Sequence, residues 1–123
     1  MSTLAEASLT DSERRVLDSL VRRLAEALGA RLRSVWLYGS RARGESPRPE
    51  SDIDVLVVVD PLLPDDDLLV IDLGWKAVDE EGLTGVFLST HVYSYERLSQ
   101  RRAIESFFIQ EVDRDKIVLF GES

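Results

Sequence analysis

Residues 36–59, WLYGSRARGESPRPESDIDVLVVV, decide the fold of this chain. The stretch begins as an apolar strand, breaks at a Gly-Ser turn, and resumes after a proline-containing spacer as a second apolar strand at 53–59. Two carboxylates, Asp52 and Asp54, stand at the entrance of the second strand. Side chains alternate along a strand with a period of two, so both carboxylates are predicted to project to the same face.

The two carboxylates predict a site for a divalent cation. Like charges placed side by side repel each other, and a sequence usually tolerates this where a cation or a function lies between them. Oxygen ligands favour Mg²⁺ or Mn²⁺, and Mg²⁺ is often held by one or two carboxylates together with substrate phosphates. The Gly39-Ser40 turn supplies the other half, since glycine lets the backbone approach a ligand and amides leading into a helix point at anions. In outline, this is a nucleoside triphosphate site.

Gly39-Ser40, a gap of eleven residues (41–51) and Asp52-x-Asp54 on an apolar strand resemble the signature of the DNA polymerase β-like nucleotidyltransferase superfamily. The form Gly-Ser-Arg-Ala-Arg-Gly followed by Ser-Asp-Ile-Asp-Val-Leu-Val is most similar to the minimal nucleotidyltransferases, or MNT proteins. These are single-domain proteins, often encoded beside a small helical HEPN-domain partner. The ordered motif is specific, whereas a lone Asp-x-Asp would be weak evidence, and it covers roughly a fifth of the chain.

The resemblance implies transfer of a nucleoside monophosphate, AMP from ATP, to an acceptor hydroxyl, with Mg²⁺ or Mn²⁺ as cofactor. It implies catalytic, metal-binding roles for Asp52 and Asp54, and a seat for the triphosphate at Gly39 and Ser40. The two arginines that follow, Arg41 and Arg43, are further candidates, because a guanidinium can neutralise phosphate by forked hydrogen bonds. The alternative is that both are solvated surface residues. The acceptor implied by MNT antitoxins is a side chain of a HEPN toxin, which they adenylylate.

One part of the resemblance is missing from the third predicted strand, 85–94. Active members of the superfamily usually carry a third carboxylate there, but no Asp or Glu lies between Leu83 and Tyr95. Alternation leaves Ser89 or His91 for that place, and His91 could be a metal ligand, a base or a structural residue. The competing hypothesis is therefore a nucleotide-binding antitoxin or regulatory subunit with weak or no catalysis.

Length and composition limit the remaining classes. The 123 residues predict one nucleotidyltransferase domain over 1–123. The chain has no cysteine, no basic and apolar leader and no run of eighteen apolar residues, which predicts a cytoplasmic protein without a membrane span. The net charge of −8 argues against broad nucleic-acid binding, although residues 1–48 carry nine Arg against six acids. That local positive charge suits a small phosphate-bearing ligand.

The predicted fold is α/β, with a small mixed, largely antiparallel sheet of three to five strands, helices packed on it, and the site at the end of the first two strands. Periodicity and capping signals predict helices at 11–28, 41–44, 66–80 and 101–112, a loop at 45–51, and strands at 33–38, 53–59, 85–94 and 117–120. Trp75 is expected in the core, and Ser94 as a helix N-cap. So small a domain cannot enclose its site alone, so we expect a homo-oligomer or a helical partner to cover it. The candidate contact residues are Phe107, Phe108 and Ile109, which could instead be ordinary core residues.

Overall fold

The elements follow the predicted order, with one helix more than the sequence suggested. A computed structural model describes residues 7–45, 52–84 and 87–123. A single 3₁₀ turn, Gly29–Arg31, joins the first helix to the first strand. The elements are α1 (Asp11–Leu28), β1 (Leu32–Tyr38), α2 (Gly39–Ala42), β2 (Ile53–Val59), α3 (Asp66–Glu80), β3 (Leu88–Ser94), α4 (Tyr95–Ala103), α5 (Phe107–Asp115) and β4 (Ile117–Gly121).

The strands form one mixed sheet in the order β3-β2-β1-β4. β1 is antiparallel to β2 and to β4, whereas β2 and β3 run parallel and are connected through α3. The prediction of a small, largely antiparallel mixed sheet is therefore confirmed. β1 and β2 lie in the centre of the sheet, which explains why 53–59 is apolar on both faces.

Each face of the sheet carries its own core. On one face, α1 and α3 cover alternate side chains of the central strands, among them Val35, Leu37, Val55 and Val57. On the other face, the remaining alternate positions pack against α4 and α5 in a smaller cluster: Trp36, Tyr38, Leu56, Val58, Leu98, Ile109 and Val112. Asp54 shares the parity of Leu56 and Val58, so the carboxylate lies at the rim of the smaller core.

Helix α1 confirms the prediction for 11–28 in detail. Thr10 is the N-cap, its side chain accepts from the Glu13 amide, and the Glu13 carboxylate accepts from the Thr10 amide at 2.9 Å. These two reciprocal bonds form a capping box. Ser94 likewise caps α4 by accepting from the Arg97 amide at 3.0 Å.

Three expectations about the elements are wrong. The predicted helix 101–112 is two helices, because the chain turns at Ile104–Ser106 with Glu105 at a φ of +53°. Trp75 is 59% exposed and lies on the outer side of α3 instead of in the core. The helix expected at 41–44 begins two residues earlier, at Gly39.

Other expectations are met in part. Ile109 is buried as ordinary core, Phe108 is half-buried and Phe107 is exposed. Most of the loop predicted at 45–51 and the first two residues of the strand predicted at 85–94 lie outside the described residues. None of the helices in the described ranges has the length and apolar character needed to cross a bilayer.

Candidate active site

The candidate site forms where β1 ends and β2 begins. The antiparallel register places Tyr38, the last residue of β1, opposite Asp54, the second residue of β2. Gly39 follows Tyr38 immediately and opens α2. The pairing of β1 with β2 therefore brings the Gly-Ser turn to the carboxylate strand.

Gly39 lies against the Asp54 carboxylate. Its φ is +80°, which disfavours other residues, and a Cβ at this position would collide with Asp54 Oδ2. The backbone of the turn and the carboxylate thus share a space that only a glycine leaves open. This close approach gives Gly39 a physical reason to be glycine beyond turn formation.

Asp54 is half-buried, and its surroundings oppose its charge. Burial raises the pKa of Asp54, and the neighbouring Asp52 raises it further. The guanidinium charges of Arg43 and Arg41 act in the opposite direction but do not cancel the effect. A cation between the two carboxylates would relieve this cost, which fits the hard-oxygen donor set that Mg²⁺ and Mn²⁺ prefer.

The first turn of α2 faces the same end of the sheet. The N-cap, Tyr38, makes no side-chain capping bond, and the first amides of any helix have no acceptor within the helix. The amides of Gly39 and Ser40 are therefore the donors expected to face an anion at this turn. Ser40 is half-exposed, with its hydroxyl on the same short helix.

Ser89 occupies the place beside Asp54 on the third strand. The parallel register pairs Asp54 with Ser89 and Leu56 with His91. The sequence left Ser89 or His91 as candidates, and the register gives the adjacent position to Ser89. His91 lies one pair further along the same face.

No three-ligand metal cluster is present in the described ranges 7–45, 52–84 and 87–123. Asp52 and Asp54 remain the carboxylate pair, and His91 does not join them as a third metal-binding group. The donor set suits an ion completed by phosphate oxygens better than one held wholly by protein.

Arg41 has a structural partner that the sequence analysis missed. Its guanidinium Nη1 donates to Glu13 Oε1 at 2.9 Å and to the Ser8 carbonyl at 3.0 Å, and the side chain is 8% exposed. Burial alone would raise the pKa of Glu13, but the hydrogen bonds from Arg41 and from the Thr10 amide lower it overall. The contact ties α2 to the N-terminus of α1 and directs this guanidinium away from open solvent.

Arg43 is the more accessible of the two arginines. It donates to Glu45 at 3.0 Å and to Asp115 of α5 at 3.1 Å, while its side chain stays 38% exposed. Both contacts raise the pKa of Arg43, with the Glu45 hydrogen bond as the larger cause. Partly exposed ion pairs of this kind exchange partners at little cost, so the side chain remains a candidate phosphate ligand.

Aromatic rings line the β3 side of the site, which the sequence analysis also missed. Phe108 lies edge-on to Tyr38 with ring centroids 5.6 Å apart, and 5.9 Å from His91 and 6.2 Å from Tyr93. Burial raises the pKa of Tyr38, with Asp54 as the second cause. Alternation along β3 places His91 and Tyr93 on one face, but nothing local indicates that Phe108 reaches them.

Comparison with known proteins gives one family match. The family model described as nucleotidyltransferase domain matches residues 17–117, which is most of the chain. No curated protein sequence matches.

Solved structures share the fold. A mutant of the toxin-antitoxin MntA-HpeT matches with a TM-score of 0.55 and 18% identity, over 87% of this chain and 74% of that one. A toxin-antitoxin with AMP-PNP matches with a TM-score of 0.53 and 21% identity, over 85% and 73% of the two chains. At these identities the likeness establishes the fold alone.

Proposed function

The chain belongs to the nucleotidyltransferase domain family, and from this premise we propose that it transfers AMP from ATP to an acceptor hydroxyl with the help of Mg²⁺. The close approach of Gly39 to the Asp54 carboxylate carries the proposal. It brings the amides of the Gly-Ser turn to a pair of carboxylates, so the ligands of a triphosphate and of a metal would lie side by side. If the domain bound no ligand, the unfavourable burial of the Asp54 carboxylate, which raises its pKa, would have no explanation.

Each group in the site has a task in this reaction. Asp52 and Asp54 would hold Mg²⁺, which when bound neutralises phosphate charge and orients the triphosphate. The amides of Gly39 and Ser40, with the Ser40 hydroxyl and Arg43, would hold the terminal phosphates. The guanidinium of Arg41 would act indirectly, by holding α2 in place against the N-terminus of α1.

The proposed reaction is a displacement at the α-phosphorus. The acceptor oxygen forms a bond to the α-phosphorus, the bond from that phosphorus to the bridging oxygen of the β-phosphate breaks, and pyrophosphate leaves. The hydroxyl proton passes to solvent. Such chemistry depends mainly on positioning and charge neutralisation, which explains how so few residue types suffice.

We propose a HEPN-type helical protein as the source of the acceptor hydroxyl. The support is the likeness in fold to toxin-antitoxin structures, one of them with AMP-PNP. Phe107 is exposed on α5, which packs on the same face of the sheet as Asp54. A partner bound at Phe107 would therefore also cover the site. A homo-oligomer would supply the wall in the same way.

The second candidate function is a nucleotide-binding antitoxin or regulatory subunit without turnover. The observation that favours it is Ser89 beside Asp54, at the place where active relatives are expected to carry a carboxylate. A hydroxyl neither adds negative charge for the metal nor accepts the proton of the attacking hydroxyl as a carboxylate does.

Calorimetric titration of ATP with and without Mg²⁺, with pyrophosphate release in the same samples, tests both functions. Asp52→Asn/Asp54→Asn is expected to abolish Mg²⁺-dependent binding. The matched control is Asp18→Asn/Asp79→Asn, which removes two exposed carboxylates elsewhere and should bind as the wild type does. Absence of Mg²⁺-dependent binding in the wild type would contradict both functions.

A Ser89→Asp variant separates the two candidates. Pyrophosphate release by the wild type, alone or with a co-encoded helical partner, supports the transferase. Binding without release by the wild type, together with release by Ser89→Asp, supports the subunit without turnover. A restored proton acceptor is expected to raise the rate by about 10²-fold or more.

A further inference from the structure

The outer edge of β3 is a second surface, which shares His91 and Phe108 at one end with the lining of the candidate site. β3 is the terminal strand of the described sheet and pairs with β2 in an uninterrupted register from Leu88 to Ser94. Its sequence, LSTHVYS, contains no lysine, proline or acidic residue. Native edge strands commonly use such residues, or a bulge, to prevent pairing with other chains. The described strand, Leu88–Ser94, has none of these protections in its own sequence or register.

The backbone groups that face outward can be identified from one hydrogen bond. The Ile53 amide of β2 donates to the Phe87 carbonyl at 2.9 Å, so the peptide groups of Phe87 point to β2. Because these directions alternate along a strand, those of Ser89 and His91 also point to β2. The amides and carbonyls of the intervening residues therefore point outward: Leu88, Thr90 and Val92.

Apolar side chains flank this edge. Trp75, Phe87 and Ile71 are 59%, 57% and 45% exposed, and the rings of Trp75 and Phe87 meet edge to face at 6.5 Å. All three line a shallow hollow, open to solvent, whose lining also includes Gly74. Contiguous exposed apolar side chains of this kind mark binding surfaces.

The hollow continues along the strand. Ile71 also lines a wider depression at the other end of β3, together with His91, Phe108 and Asp67. The groove therefore follows the whole free edge, which is the length that an added strand would occupy.

The charge on α3 selects among occupants of the groove. Its exposed positions include Asp67, Asp72 and Asp79, while its exposed cation, Lys76, already pairs with Asp72 at 3.0 Å. Arg97, which lines the wider depression with Asp67, lies over the Tyr93 ring, so these three acids outnumber these two cations along the groove. A second copy would bring the same acids, and another net charge of −8, against these. A segment with basic residues would meet opposite charge instead.

We propose that the free edge of β3 docks an extended segment of a partner protein that has basic residues on either side of apolar ones. The segment adds a strand by pairing with the outward peptide groups of Leu88, Thr90 and Val92, as in other cases of strand addition. Its apolar side chains fill the hollow at Trp75 and Phe87. Its basic residues meet the acids of α3.

The test uses a synthetic peptide, acetyl-KTVTLTK-amide, and amide hydrogen exchange read by NMR. The peptide places lysine, valine, leucine and lysine on one face of a strand. Binding is expected to slow exchange at Thr90 and Val92 by at least about tenfold, with little change at Ser89 and His91, which already face β2. Emission of the exposed Trp75 should move to shorter wavelength, while Trp36, 1% exposed, stays unchanged.

Two variants and one control peptide sharpen the result. Thr90→Pro removes an outward amide that edge strands can lose without unfolding, and it should abolish protection at Val92. Trp75→Ala, at an exposed helix position, should weaken binding while the fold is retained. Acetyl-ETVTLTE-amide keeps the apolar residues and reverses the charge, so it should bind at least about tenfold more weakly.

Three outcomes would overturn the proposal. The first is the absence of protection at Thr90 and Val92 with about 1 mM KTVTLTK peptide, a concentration that half-saturates even a site with a Kd of about 1 mM. The second is equal binding of the acidic peptide, which would exclude selection by charge. The third is protection without peptide that grows with protein concentration, since the occupant would then be a second copy of this chain.

Discussion

Gly39 is the residue on which the geometry of the site depends most directly. A Cβ there would collide with Asp54 Oδ2, and the φ of +80° is unfavourable for alanine. Gly39→Ala is expected to displace the Asp54 side chain and to lower the free energy of unfolding by about 1–3 kcal/mol. Mg²⁺-dependent ATP binding should weaken by at least about tenfold, or 1.4 kcal/mol, in calorimetric titration.

Gly82→Ala provides the matched control for Gly39→Ala. Gly82 has a φ of +65°, but a Cβ there would meet nothing within 4 Å. The Gly82→Ala variant should therefore lose about 1–2 kcal/mol of unfolding free energy through backbone strain, measured by thermal unfolding, without any change in ATP affinity. Equal losses of affinity in the two variants would mean that the Gly39 substitution acts through general destabilisation, which contradicts the role assigned to the close approach.

Helix α3 begins at a carboxylate whose charge is held by Arg31. Asp66, with a side chain 5% exposed, accepts from the Arg31 guanidinium at 2.8 and 3.2 Å and from the Leu63 amide at 2.8 Å. The Arg31 hydrogen bonds lower the pKa of Asp66, against the opposing effect of burial, and the Leu63 amide lowers it further. The stability of the start of α3 is therefore expected to depend on the protonation of Asp66, and so on pH.

The pH dependence follows from the direction of that shift. A carboxyl with a lowered pKa in the folded state contributes stability above its unfolded pKa, about 3.9, and loses it as pH falls through the folded pKa. Asp66→Asn should therefore lower the free energy of unfolding by about 1–3 kcal/mol at pH 7. The difference from the wild type should shrink below about pH 4, as measured by urea unfolding.

An exposed neighbour serves as the control for Asp66→Asn. Asp67 lies in the same first turn of α3 but is exposed, so Asp67→Asn should change stability by less than about 0.5 kcal/mol. A loss for Asp66→Asn that stays constant from pH 7 to about pH 3 would contradict the assignment to its charge, because protonation of the wild type should erase it.

The sequence predicted those elements whose signals are local. The capping box at Thr10 and the apolar run at 53–59 need only neighbouring residues, so α1 and β2 were predicted closely. The break within 101–112 was not, because Glu105 adopts a positive φ without a glycine to signal it. Trp75 was wrongly predicted in the core because the pattern of apolar residues in α3 does not determine which side of the helix packs on the sheet.

Long-range pairing explains what the sequence could not supply about the site. The ion pair of Arg41 was not predicted because its partner, Glu13, is 28 positions away in the chain, and the role of Arg41 toward phosphate stays a prediction. Ser89 and His91 were equivalent by alternation until the parallel register placed Ser89 opposite Asp54. The motif predicted which residues to expect in the site, whereas their neighbours follow from strand order, which no local pattern encodes.

The whole molecule is expected to unfold as one unit, because β1 and β2 contribute to the cores on both faces of the sheet. Trp36 belongs to the α4 and α5 side and donates from Nε1 to the Glu122 carbonyl at 2.7 Å, which also ties it to the end of β4. Loss of α4 and α5 alone would expose Trp36, Leu56 and Val58, each 1% exposed or less, at about 25 cal/mol per Å² of apolar surface. That cost makes a partly unfolded state unfavourable.

Urea unfolding of a Trp75→Phe variant tests this cooperativity, because its fluorescence then comes from Trp36 alone. Far-UV circular dichroism reports mainly on the longest helices, α1 and α3, on the opposite face. We expect the two midpoints to agree within about 0.2 M, as they do for small two-state domains. A clearly lower midpoint for Trp36 would mean that α4 and α5 separate from the sheet first. The smaller core, with Tyr38 and the rim at Asp54, would then be lost while the larger core persists.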